Sequence, residues 1–197
     1  MKHILITSLL SASFLLTACD EEDIQAAVDN GTPIAADMGE APAAMDPALA
    51  NCPADQTLTD ISAYSFDVFQ ADSAEMFHGE LAKREDVVTL PSGLQYTVVK
   101  SGNPEGPKPL PTDTVTVHYH GLFPTGQTFD SSYDRGETID FPLNRVIKGW
   151  TDGVGLMRPC DAWTFYIPSD LAYGPKGRPG IPGGASLVFH VQLLGVQ

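Results

Sequence analysis

The sequence predicts an α+β fold, a small antiparallel sheet of about five strands packed on one short helix. Three observations predict it. Apolar residues alternate with polar ones in several short runs of the C-terminal half, one run alone has helical spacing, and Pro and Gly concentrate in the segments between them.

The strands come first. Leu94, Tyr96 and Val98 alternate with Gln95 and Thr97, and Val115, Val117 and Tyr119 alternate with Thr116, His118 and His120. Leu187, Phe189, Val191 and Leu193 alternate with Val188, His190 and Gln192, and residues 163–167 form a further β-rich run. Side chains of a strand point to opposite faces in turn, so each run offers one face to a core. The helix is expected from Asn144 as N-cap, with Val146, Ile147, Trp150 and Val154 on one side. The loops 102–111 and 174–184 hold fourteen of the twenty-seven Pro and Gly of residues 85–197, as turns require. A domain over residues 85–197 is large enough for one core.

The N-terminal part reads differently. Lys2 and His3 precede an uncharged run, Ile4 to Leu16. As a helix this run would reach about 20 Å, short of the ~30 Å hydrocarbon core. It reads as a secretory signal over residues 1–18. Leu16-Thr17-Ala18-Cys19 resembles the lipobox of bacterial lipoproteins, which implies acylation of Cys19 and a membrane anchor. Asp20, Glu21, Glu22 and Asp23 follow it. They resemble the acidic signal that retains lipoproteins at the periplasmic face of the inner membrane rather than the outer membrane.

Charge separates the next segment from the domain. The chain carries a formal net charge of −14, yet residues 19–80 hold fourteen Asp and Glu and no Lys or Arg, while residues 81–197 hold ten basic and eleven acidic residues. The acidity belongs to the leader, and nothing basic enough to bind nucleic acid stands out. Residues 19–57, rich in Ala, Pro, Asp and Glu, read as a disordered tether. In residues 58–84, Phe69, Met76, Phe77 and Leu81 suit a short helix ending near Lys83-Arg84. That stretch is too short and irregular for a dimerising helix, so a monomer is expected. Cys52 and Cys160 remain as an even pair for an oxidising compartment, where a bridge and two free thiols both fit.

Five motifs carry the chemistry. They are Val117-His118-Tyr119-His120-Gly121, Gly126-Gln127-Thr128-Phe129-Asp130-Ser131-Ser132, Val146-Ile147-Lys148-Gly149-Trp150, Ala172-Tyr173-Gly174 and Leu187-Val188-Phe189-His190-Val191. In this order and spacing they resemble the FKBP-type peptidyl-prolyl isomerases. Residues 89–96 resemble the entry to that domain in its bacterial members.

The resemblance implies a half-barrel sheet wrapped around the helix, with the substrate proline entering between them. Trp150 would be the floor of the pocket, and Tyr119, Phe129, Val146, Ile147, Ile181 and Phe189 its walls. Asp130 and Tyr173 would be the catalytic groups at the edge, and the Ile147 N–H would bind a substrate carbonyl. Asp130 would act by orienting Tyr173 or by meeting the twisted carbonyl. Where the family often has an aromatic, this chain has Ile139. Arg178 occupies a variable place in the flap loop, and Cys160 stands where a turn glycine is usual.

The partners implied are Xaa–Pro segments of folding proteins, with rapamycin-type macrolides as inhibitors. Isomerisation breaks no bond, so the reaction needs no cofactor and no metal. His118, His120 and His190 could approach one another, but no Glu or Cys lies nearby in sequence to complete a metal site. A tethered chaperone that holds proline segments without turnover is the alternative function. Asp130, Tyr173 and Trp150 together favour the enzyme.

Overall fold

The computed structural model describes residues 48–64 and 73–197. The expected signal, Cys19 and most of the tether lie outside them. Among the described residues no helix is long and apolar enough to cross a membrane.

Seven strands form one antiparallel sheet: β1 (Val88–Thr89), β2 (Gln95–Lys100), β3 (Thr114–Leu122), β4 (Thr128–Ser131), β5 (Ile139–Pro142), β6 (Ala162–Ile167) and β7 (Leu187–Val196). Their spatial order is β1-β2-β6-β7-β3-β4, with β5 also paired to β3. The expectation of about five strands missed the short ones. β1 has two residues, too few for alternation to register, and β4 and β5 have four each. The latter two share one edge of β3, β5 opposite residues 114–117 and β4 opposite residues 120–122.

The helix packed on this sheet is α3 (Lys148–Val154), preceded by α1 (Ala74–Leu81) and the single turn α2 (Ser132–Arg135). Helix α3 sits close. A Cβ on Gly149 would fall 2.5 Å from Ile167 Cγ2, and one on Gly153 would fall 2.6 Å from Phe165 Cε1. Its start differs from expectation. Asn144 lies in a 3-10 turn over Leu143–Arg145, and the residue before the helix is Ile147, in extended conformation with no side-chain cap. The turn drives Leu143 fully into the core, and the β-branched pair Val146-Ile147 stays extended, where its stiff side chains lose least freedom.

The main core lies between α3 and one face of the sheet. Val115, Val117 and Tyr119 of β3, Trp163, Phe165 and Ile167 of β6 and Phe189, Val191 and Leu193 of β7 meet Trp150 and Val154 there. These are the predicted apolar phases of β3 and β7. The other face is covered as well, which alternation alone does not reveal. Phe77 and Leu81 of α1 pack on Leu122, Tyr166 and Val188, and burial of each such side chain contributes about 1.5–3 kcal/mol. Helix α1 is capped by Ser73, whose Oγ accepts from the Met76 N–H at 3.2 Å.

The expected tether is corrected at its C-terminal end. Residues 48–57 run against β7 instead of standing free. The Cys52 N–H donates to Leu194 O at 2.6 Å, the Val196 N–H to Ala50 O at 3.0 Å, and Cys52 is bridged to Cys160 with a Cα–Cα distance of 4.9 Å. Gln192 then holds the chain onward, accepting from the Leu58 N–H at 2.7 Å and donating to Gln56 O at 3.1 Å. Low hydrophobicity misled here because main-chain pairing and a disulfide, not apolar burial, fix this strap.

Candidate active site

A cavity of about 890 Å³ opens between the sheet and the segment leading into α3. Its floor is Trp150, 4% exposed. Three rings stand almost upright on the indole: Tyr119 at 5.5 Å, Phe141 at 5.5 Å and Phe189 at 5.3 Å between centroids, each 83° from its plane. Phe129 meets Phe189 edge-on at 5.4 Å and 87°. Edge-to-face contact suits the positive ring edge and negative ring face, so the box is self-supporting. Gly121 is required behind it, since a Cβ there would fall 2.7 Å from Phe129 Cζ and 3.0 Å from Phe189 Cε1.

One edge of the box is polar. The Tyr119 hydroxyl donates to Asp130 Oδ2 at 2.6 Å, Arg135 Nη1 donates to Asp130 Oδ1 at 2.5 Å, and Arg135 Nη2 donates to the Tyr119 oxygen at 3.0 Å. Partial burial pushes the Asp130 carboxyl up, but the bonds from Tyr119 and Arg135 and the guanidinium charge outweigh it and hold it below the usual carboxylate range. Burial and the bond to Asp130 push the Tyr119 hydroxyl up, so it remains a donor. Asp130 is therefore a fixed anion at neutral pH.

The opposite side is formed by Val146, Ile147, Ala172 and Tyr173. The Ile147 N–H meets no protein acceptor among the described residues, which leaves a main-chain donor at the wall. Tyr173 lies under Arg178, whose guanidinium carbon is 4.6 Å from the ring centroid.

Of the residues expected at the site, Tyr119, Phe129, Asp130, Val146, Ile147, Trp150, Tyr173 and Phe189 all line this cavity. Ile181 does not. It is buried in the core at 4% exposure, locked to Arg178 by reciprocal main-chain bonds of 2.9 and 2.8 Å. The Asp130 oxygens accept from Tyr119 and Arg135, and no hydrogen bond joins Asp130 to Tyr173 among the described residues. Phe141 and Arg135 were missed. The alternation of Ile139 and Phe141 around Asp140 was the available signal, and Phe141 restores the aromatic wall that Ile139 lacks.

The histidines lie on the other sheet face. His118 Nδ1 is 2.9 Å from Ser132 Oγ, His120 Nε2 is 3.2 Å from Thr128 Oγ1 and His190 Nδ1 is 2.8 Å from Thr164 Oγ1. No group of three potential metal ligands exists among the described residues.

The sequence model of the FKBP-type peptidyl-prolyl cis-trans isomerases matches residues 106–194. The crystal structure of a peptidyl-prolyl cis-trans isomerase from Pseudomonas syringae superposes with a TM-score of 0.59 at 34% identity, over 63% of this chain and 90% of that one. The chain belongs to the FKBP family. FkpA of Aeromonas hydrophila is 53% identical over 116 residues, 59% of this chain and 42% of that one. Mip of Coxiella burnetii is 41% identical over 128 residues, 64% of this chain and 55% of that one. The crystal structure of Escherichia coli FkpA superposes with a TM-score of 0.60 at 42% identity, over 63% of this chain and 57% of that one. The FKBP chain described here thus spans about half the length of the curated relatives it matches. An antiparallel sheet around a short helix is the architecture expected of an FKBP.

Proposed function

We propose that the protein is a peptidyl-prolyl cis–trans isomerase acting on Xaa–Pro bonds of other proteins in the cell envelope. The observation that carries this reading is the box of three upright rings on Trp150, with a polar edge at Asp130 and an open N–H at Ile147.

The box suits the reaction physically. The barrier to rotation is about 18–20 kcal/mol and arises from amide resonance. No bond is broken, so the site needs no nucleophile. The twisted transition state has lost resonance and is less dipolar than the planar amide, and a dry aromatic box favours it relative to the ground state. The proline ring lies on Trp150 between the walls. The Ile147 N–H takes a carbonyl of the bound segment and fixes its register. Asp130, kept ionised by Tyr119 and Arg135, faces the rotating carbonyl region and contributes to the rate.

A fluorescence or protease-coupled assay on an Xaa–Pro peptide tests this directly. Acceleration that a rapamycin-type macrolide abolishes is expected. Binding of the peptide with no acceleration would replace the enzyme by a holder of proline segments.

Placement in the envelope rests on the signal-like residues 1–18 and on lipidation of Cys19. The Cys52–Cys160 bridge suits the same oxidising compartment. Membrane fractionation of Cys19→Ala tests the anchor: the variant is expected in the soluble fraction, and wild-type-like membrane association would remove lipidation.

A further inference from the structure

The cavity carries a charge pattern that apolar proline binding does not need. Four cations line it, Arg135, Arg145, Lys148 and Arg178, against a single acid, Asp130. The chain as a whole is strongly acidic and its domain is near neutral, so this is local enrichment rather than a reflection of composition. Two of the four are already matched. Asp130 holds Arg135, and both oxygens of Asp152 accept from Lys148 Nζ at 2.7 Å. Arg145 and Arg178 are exposed, and no carboxylate pairs with either among the described residues.

Their placement gives them a use. Arg145 ends the turn that leads into Val146-Ile147, two residues before the open N–H. Arg178 belongs to the flap loop and is held over Tyr173, so less side-chain freedom is lost when it engages a ligand. A guanidinium presents a planar fork that matches a carboxylate, and it is more weakly hydrated than a lysine ammonium.

We propose that the pocket selects proline segments carrying an acidic residue next to the proline, with Arg145 and Arg178 as the selecting groups. The inference rests on the isomerase reading of the cavity and adds the substrate class to it. The bland alternative is a pair of solvated rim arginines with no effect on choice. Exposed ion pairs are individually weak. Two acting together give a preference of about threefold to tenfold for an acidic over a basic neighbour at low ionic strength, tenfold corresponding to ~1.4 kcal/mol. Salt removes it, because the screening length falls from about 30 Å at 0.01 M to ~3 Å at 1 M.

The test uses the full chain and tetrapeptides with Glu, Leu or Lys placed before or after proline. Both kcat/KM and Kd are measured at low and high salt for wild type, Arg145→Glu, Arg178→Glu and the double variant. The readout is the Glu-to-Lys ratio within each protein, which loss of folded protein leaves unchanged. A ratio above one that collapses with salt and inverts in the double variant is expected. A ratio near one, or one untouched by both substitutions, overturns the proposal. If no peptide is accelerated but the Kd ratio behaves as expected, the acidic preference stands and the isomerase reading alone fails.

Discussion

The hydroxyl of Ser132 serves both main-chain groups of Tyr119, accepting from its N–H at 2.8 Å and donating to its carbonyl at 3.2 Å. Strand β3 needs this because β5 pairs it only through residue 117 and β4 only from residue 120. One side chain thus stands in for a strand where the edge is open. Since the hydroxyl proton goes to the carbonyl, His118 Nδ1, 2.9 Å away, is the donor in its own contact with Ser132.

Ser132→Ala is therefore expected to cost more than an ordinary hydroxyl. It orphans a buried N–H as well as a carbonyl, a loss of about 1–3 kcal/mol. The urea midpoint should fall with an unchanged m-value. A loss within a few tenths of wild type would mean that water replaces the hydroxyl.

Stability should also depend on the back of the sheet at mildly acid pH. The rings of Tyr64 and His190 stack at 4.6 Å, and His120 lies parallel to His190 at 6.3 Å. Burial, with His120 adding to it, depresses the His190 pKa from 6.5 to about 4. Burial lowers His120 as well, against the opposing charge of Asp134. A base depressed on folding binds fewer protons in the native state, so stability falls as pH drops from about 6.5 to 4 and then levels off for this group. The loss from His190 is at most about 3 kcal/mol. His190→Gln should flatten unfolding free energy across that window. An equally steep profile in the variant would place the titration elsewhere.

The disulfide and the turn that bears it make separable contributions. Cys52 and Cys160 are 108 residues apart, and the chain-entropy model assigns such a loop about 4–5 kcal/mol, an upper figure. Cys160 is also the one non-glycine residue with positive φ among the described residues, at 73°. Its left-handed backbone is what a glycine in that turn would adopt freely. With Cys52 replaced by Ala, Cys160→Gly should be more stable than Cys160→Ala by about 1 kcal/mol. Thermal melts of the two double variants decide this, and equal midpoints would show that the turn relaxes once the bridge is gone.

Much of this site was legible because FKBP motifs bind residue identity to position. Trp150, Tyr119 and Phe189 fall on the expected helix and strands, while Phe129 and Asp130 come from the motif alone, since the strand β4 that carries them was not expected. What the sequence hid has physical causes. Gln192 and His190 lie on the polar phase of β7, yet they are buried, because a strap from before residue 64 covers them. Long-range main-chain pairing of this kind leaves no periodic trace. Arg135 belongs to no motif of the sequence, and only the fold brings it onto Asp130 and Tyr119.

That polar edge gives the sharpest kinetic expectation. Asp130 touches the site through its anion and through Tyr119, so the two should act as one unit. Asp130→Ala should lower kcat and kcat/KM together by about tenfold or less, ~1 kcal/mol, with peptide affinity little changed. Tyr119→Phe removes the same hydrogen bond and should lower the rate by a smaller factor. The double variant should be no worse than Asp130→Ala alone, since coupled partners are not additive. Tyr173→Phe has no bond to Asp130 and should add its own factor to either. Phe129→Ala differs in kind, weakening affinity and rate together by opening the box to water and removing contact with Phe189. The measurement is kcat, KM and Kd on one Xaa–Pro peptide across this set. Full additivity of Asp130→Ala with Tyr119→Phe would break the unit into two independent groups. An undiminished rate in Asp130→Ala would reduce that carboxylate to a fastener for Tyr119 and Arg135, with the apolar box alone accelerating the rotation.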